Sequence, residues 1–167
     1  QEANALKNLS ERSVPGLHLM HSIRSTQLQI ALVLFRHLQT SDPKVKSDLE
    51  NNMEKLAGDL QKDFANYESK IRTDKGRELY AAEKVKLTEY LEMLSKYLAV
   101  LRSGGTATDL SGPMGAKRAE LARLLDEHLE LNIATATKEA QTAAVAASRS
   151  VVISVIIIVL ALLIIGW

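Results

Sequence analysis

Residues 77–101 read RELYAAEKVKLTEYLEMLSKYLAVL. Within them Arg77, Tyr80, Lys84, Leu87, Leu91, Leu94, Leu98 and Leu101 recur at spacings that alternate between 3 and 4. A helix with about 3.6 residues per turn places such positions on one stripe, and the alternation is that of a seam between packed helices. The upper part of the stripe is all leucine. The lower part carries two cations and a tyrosine, which an apolar core does not accept without partners.

The flanking segments keep the same rhythm. Upstream, Leu49, Met53, Leu56, Leu60, Phe64, Tyr67 and Ile71 mark a helix over about 43–72, with a small stutter between Leu60 and Phe64. Thr73-Asp74-Lys75-Gly76 is a short polar break, so this helix and the one over about 75–102 are expected as antiparallel neighbours. Gly76 can alternatively sit in the first turn of the later helix. Ser41-Asp42-Pro43 reads as a turn, a cap and a helix start together. Before it, Leu17, Met20, Arg24, Gln27, Ala31, Leu34 and Leu38 form the seam of a first helix over about 1–40. Pro15-Gly16 should kink that helix, and Ile23, Ile30 and Val33 offer a flanking face to another helix or a second subunit. Downstream, 103–114 (SGGTATDLSGPM) is the one long loop. A fourth helix is expected over about 115–149, through Leu121, Leu125, Leu129, Ile133, Ala136, Ala140 and Ala143. The elements predict an all-α fold: an up-down-up-down antiparallel four-helix bundle over 1–149.

The last stretch, Val151–Trp167, is VVISVIIIVLALLIIGW, uncharged and broken only by Ser154 and Gly166. As a helix it covers about 25 Å, near the lower limit for crossing a hydrocarbon core of about 30 Å. Arg149 would sit at the lipid boundary. The run is also β-branched, but its length is far beyond that of ordinary strands, about 3–10 residues, which favours the helix. Residues 150–167 are therefore expected to start a transmembrane helix that continues helix four without a break. Alternation then brings the start of helix one to the membrane as well. The chain opens on Gln1 rather than Met, and it reads as a piece of a longer protein with another membrane span before it.

The 21 basic and 20 acidic residues leave a net charge of +1, which gives no reason to expect nucleic acid as a partner. The absence of cysteine excludes disulfides and thiolate chemistry. No nucleophile–base pair, phosphate loop or paired-carboxylate site has helical support, so no catalytic residue and no enzyme is expected. His18, His21, His37 and His128 lack the spacing of a metal site, and no metal or cofactor is expected.

The polar interruptions of the seams are more informative. Arg24 and Gln27 interrupt helix one, and Arg77, Tyr80 and Lys84 interrupt helix three. Helix four carries His128, Asn132, Thr135 and Glu139 on a single stripe beside its apolar seam. Counting turns from the tip brings these groups to the middle of the bundle. One reading makes Arg24, Arg77 and Lys84 the anchors of a small carboxylate, with Gln27, Tyr80, Asn132 and Thr135 orienting it, because arginine offers a carboxylate a bidentate fork. The other reading pairs the cations internally with Glu83, Glu78, Glu139 or Asp63, or leaves them wet. Tyr67, Tyr90 and Tyr97 read as core edge.

With these residues in view the chain resembles the extracytoplasmic four-helix-bundle sensor domain of bacterial methyl-accepting chemotaxis receptors. The carriers are IRSTQLQIALVLFRHL (23–38), the LQTSDP turn (38–43), DFANYESKI (63–71) and a fourth helix flowing into an apolar run. The resemblance implies a homodimeric receptor of the bacterial inner membrane, paired through helix one, with its sensor domain in the periplasm. It also implies a small organic acid or amino acid as ligand, displacement of helix four as the signal, and cytoplasmic chemotaxis proteins as downstream partners. Arg24 is a possible counterpart of the family's helix-one arginines, but the tight arginine trio of its best-known branch is absent. That points to a pocket inside one bundle rather than across the dimer. The same bundle on a histidine kinase or a cyclic-dinucleotide enzyme, and a tail-anchored scaffold or fusion protein, remain as alternatives.

Overall fold

The computed structural model describes the backbone of residue 7 and residues 9–165, and the side chains of residue 7 and residues 11–148. One π-helical turn, Leu9–Ser13, leads into α1 (Val14–Gln39). Three helices follow: α2 (Pro43–Tyr67), α3 (Asp74–Arg102) and α4 (Thr108–Ile165). A single 3-10 turn, Glu68–Lys70, closes α2. Among the described residues the architecture is the expected all-α four-helix bundle.

The helix starts are set locally. Asp42 accepts the backbone N–H groups of Lys44 and Val45 at 2.8 and 3.2 Å, and Pro43 fills a first-turn position that needs no N–H. Thr73 caps α3 by accepting the N–H of Gly76 at 2.9 Å. At the other end of α3, Gly104 turns the chain with φ +77°, and the N–H groups of Gly104 and Gly105 close on the carbonyls of Leu101 and Val100 at 3.0 Å each.

Four boundaries or faces differ from the sequence reading. First, α4 begins at Thr108 rather than near Gly115. Ala107 and Met114 are buried and Leu110 packs beside them, so the core pulls this segment into helix and Pro113 costs it one hydrogen bond. Second, the link between α2 and α3 is 68–73, not 73–76; Gly76 lies in the first turn of α3, the alternative the sequence offered. Third, Pro15 sits at the start of α1, where its missing N–H is harmless, and the wider π-turn precedes it. Fourth, the buried face of α1 is Met20, Ile23, Gln27, Ile30 and Val33, while Leu38 is exposed. The residues assigned to a flanking face are the core face, one step round the helix.

α1 packs along α2, and α3 packs along α4. α1 also lies on α4, whereas the backbones of α2 and α3 stand further apart and meet through side chains, Phe64 on Tyr80 and Glu54 on Arg102. Tyr67, Tyr90 and Tyr97 are fully buried with Met20, Met53, Leu60, Leu94 and Leu125, so the tyrosines belong to the core itself. Among the described residues no helix is long and apolar enough to cross a membrane. The backbone of α4 stays helical to Ile165, but the side chains of 149–167, on which the membrane expectation for 150–167 rests, lie outside the described residues.

Candidate functional site

The predicted site residues fall into three places. Arg24 lies in the seam between α1 and α4, where its Nε donates to Asp126 at 2.7 Å and its Nη1 to Gln27 at 2.8 Å. Gln27, fully buried, passes its own N–H to the Arg118 carbonyl at 2.9 Å. Arg77 points outward and pairs with Asp74 one turn back. Tyr80 and Lys84 line a groove between α2 and α3, on the side of the bundle opposite Arg24. Asn132 and Thr135 line a separate cavity at the end where α2 gives way to α3. The three cations therefore do not converge. Arg24 and Arg77 are each neutralised by an aspartate, Asp126 and Asp74, that was not among the expected partners.

The groove holds about 470 Å³. Phe64, Tyr80, Leu87 and Leu91 form its floor, with Glu68, Lys84 and Glu92 on its walls. Tyr80 stacks on Phe64 with ring centroids 4.6 Å apart, and its hydroxyl reaches Glu68 at 3.3 Å. The Lys84 ammonium has no hydrogen bond or ion pair among the described residues. With two carboxylates beside one ammonium, the groove has no net attraction for an acid.

The cavity is built differently. Its floor is a buried polar chain that ties α4 to α2 and α3. Asn132 donates to the Tyr67 oxygen at 2.6 Å, and the Tyr67 hydroxyl lies 3.0 Å from Nε2 of His128. Nδ1 of His128 lies 3.0 Å from both carboxylate oxygens of Glu83. His128 and Glu83 are wholly buried. Burial pushes the Tyr67 phenol up to about 12, against the opposing pull of Asn132, so the phenol keeps its proton. It then donates to Nε2, and Nδ1–H donates to Glu83, which satisfies every member of the chain. Burial also pushes the Glu83 carboxyl above the usual carboxylate range, and His128 draws it part of the way back. Gly76 makes room for this chain: a Cβ there would stand 2.9 Å from the Thr73 hydroxyl and 3.3 Å from Nε2 of His128.

Above the chain, the cavity is walled by Arg12, Ser13, Lys70, Arg72 and Thr73, and none of the residues lining it is acidic. The enclosed space is about 20 Å³, room for roughly one water. Arg72 pairs with Glu139 of α4 and donates to Ser13, which itself donates to Glu139 at 2.6 Å. Burial raises the Glu139 carboxyl, but the hydrogen bonds from Arg72 and Ser13 and the Arg72 charge outweigh it and hold the group below its ordinary range. Arg12 and Lys70 have no ion pair or hydrogen bond among the described residues. The sequence reading missed Arg12, Lys70 and Arg72, placed Glu83 only as a partner for other cations, and did not pair Glu139 with Arg72. Its one pointer to this place was the α4 stripe of His128, Asn132, Thr135 and Glu139.

Residues 1–147 match the family model described as a four-helix-bundle sensory module for signal transduction. The chain belongs to that family. It is the sensory four-helix bundle of methyl-accepting chemotaxis proteins. No curated protein and no solved structure matches it. For a sensory module the useful features are a place for a signal to bind and an element that carries its effect away. In this chain α4 lines the cavity through His128, Asn132 and Thr135 and is tied beside it through Glu139.

Proposed function

We propose that this sensory module is the ligand-binding part of a transmembrane chemoreceptor that recognises a small organic acid in the periplasm and signals by displacement of α4. The observation that carries the reading is α4 itself. One uninterrupted helix, Thr108–Ile165, holds Asn132, Thr135 and Glu139 at the polar cavity and runs on from there into the uncharged run after Arg149. A ligand that contacts α4 differently in two positions biases it between them. The excess of cations around the cavity supports an acid as that ligand, since Arg12 and Lys70 lack an anion to neutralise them among the described residues.

Homodimerisation through helix one completes the reading. Leu28, Leu32 and Phe35 lie 49–59% exposed on the outer face of α1, the kind of apolar stripe that a second copy covers. The apolar run of residues 150–167 supports anchoring in the bacterial inner membrane, with cytoplasmic chemotaxis proteins receiving the signal.

A thermal-shift screen of small carboxylic acids against the full chain in detergent tests the reading. A cognate acid at about 100 times its dissociation constant should stabilise the fold by about 2.7 kcal/mol. A panel in which no acid shifts the transition would defeat it.

A further inference from the structure

We propose that the cavity bounded by Arg12, Lys70 and Arg72 is the carboxylate site, and that Glu139 is a built-in competitor which the ligand displaces. The inference rests on the organic-acid reading above and adds its location and its switch.

The cluster already holds a carboxylate. Glu139 takes the Arg72 guanidinium and the Ser13 hydroxyl in the same way that a bound acid would. The enclosed volume beside it, about 20 Å³, admits a water but not a second carboxylate. An acid can therefore enter only by taking the place of Glu139. The exchange leaves no buried cation unpaired, because one carboxylate replaces another on Arg72. The incoming acid also gains what Glu139 does not use. Arg12 and Lys70 flank the cavity without partners among the described residues, and the Thr73 hydroxyl faces it as a further donor. A dicarboxylate fits this surplus of charge better than a monocarboxylate.

Displacement has a mechanical consequence. Arg72 lies between α2 and α3, and Ser13 lies at the foot of α1, while Glu139 belongs to α4. The Glu139 contacts bind α4 to the rest of the bundle at this end. Handing Arg72 and Ser13 to a ligand releases that clamp. The buried Glu83–His128 pair still holds α4 to α3 nearer the middle, so α4 moves about a fixed point rather than detaching.

Calorimetric titration of acetate and succinate into the full chain in detergent at pH 7 tests the proposal. Glu139→Gln should bind succinate about fivefold more tightly than wild type, because its competitor carries no charge. Arg12→Gln and Lys70→Gln, which break no ion pair, should each weaken succinate about three- to fivefold and leave the ligand-free melting temperature nearly unchanged. Arg72→Gln should remove binding. If the Glu139→Gln affinity is unchanged or lower, displacement is wrong. If both Arg12→Gln and Lys70→Gln bind as wild type does, the location is wrong, while the organic-acid reading stands. If neither acid binds wild type or Glu139→Gln, and the wider screen is also blank, the organic-acid reading falls and takes this site with it.

Discussion

The two seams that α3 makes are opposites. Against α4 it is locked by a buried Glu83–His128 pair and by a partly exposed ion cluster in which Lys86 and Lys117 share Glu89, with Lys86 also reaching Glu120. Against α2 it leaves a groove of about 470 Å³ whose floor is apolar and whose Lys84 has no partner among the described residues. The contrast separates the helices into a stiff pair, α3 with α4, and a looser joint where α2 faces α3. The polar ties between α2 and α3 sit at the two ends of that face, Arg102 on Glu54 at 2.9 Å and the Tyr80 hydroxyl on Glu68 at 3.3 Å, and the Arg102 pair is largely exposed.

The contrast breaks most clearly at His128. His128→Leu leaves the Glu83 carboxylate buried without its partner and should cost about 3–5 kcal/mol in denaturant unfolding. A loss below about 1 kcal/mol would mean that the α3–α4 seam is not held there. Gly76→Ala comes next. Its methyl would crowd the Thr73 hydroxyl and Ile71 at 2.9 and 3.0 Å, and the same measurement should show about 1–3 kcal/mol of destabilisation.

The clamp at Glu139 has a pH signature. Its carboxyl is held below the usual range, so the stability it adds is present above the unfolded-state value near 4.5 and is lost as the pH falls through the lower folded-state value. Glu83 acts in the opposite sense. Its raised carboxyl adds stability that is fully present below that unfolded value and is lost as the pH rises through its higher folded value. Melting curves taken downward from pH 5 should therefore fall less steeply in Glu139→Gln than in wild type; parallel curves would show that the clamp does not contribute. Smaller effects lie at the surface. Arg24→Ala breaks a half-exposed pair with Asp126 and should cost no more than about 1 kcal/mol. Lys84→Ala, on the loose joint, should stay within about 0.5 kcal/mol of wild type.

The helices were legible in the sequence because their signals are periodic and local: the leucine stripe from Leu87 to Leu101, the Asp42-Pro43 start, the polar residues from Thr73 that open α3. What failed to read was which of two adjacent stripes turns inward. In α3 the stripe through Arg77, Tyr80 and Lys84 and the stripe through Gly76, Tyr80 and Glu83 differ by a single residue, and only packing against α4 decides for the second. A buried glutamate also looks like a surface residue until its histidine partner, 45 positions away, is placed beside it. The cations of the cavity were invisible for a related reason. Arg12, Lys70 and Arg72 lie at helix ends and in a connection, where no periodicity marks a residue. By contrast, the α4 stripe of His128, Asn132, Thr135 and Glu139 stood out as polar, and each of its members meets the cavity or its clamp.

The central claim is that a small acid changes how α4 sits against α1. Cysteines at Val14 and Ala140, the residues that follow Ser13 and Glu139 in the chain, test it most directly when the full chain is crosslinked by a short bifunctional maleimide. Succinate at saturation should change the crosslinking rate, and the additional change Glu139→Gln should shift the ligand-free rate towards the liganded one. Rates that are the same with and without succinate, in a protein shown by calorimetry to bind it, would contradict the account.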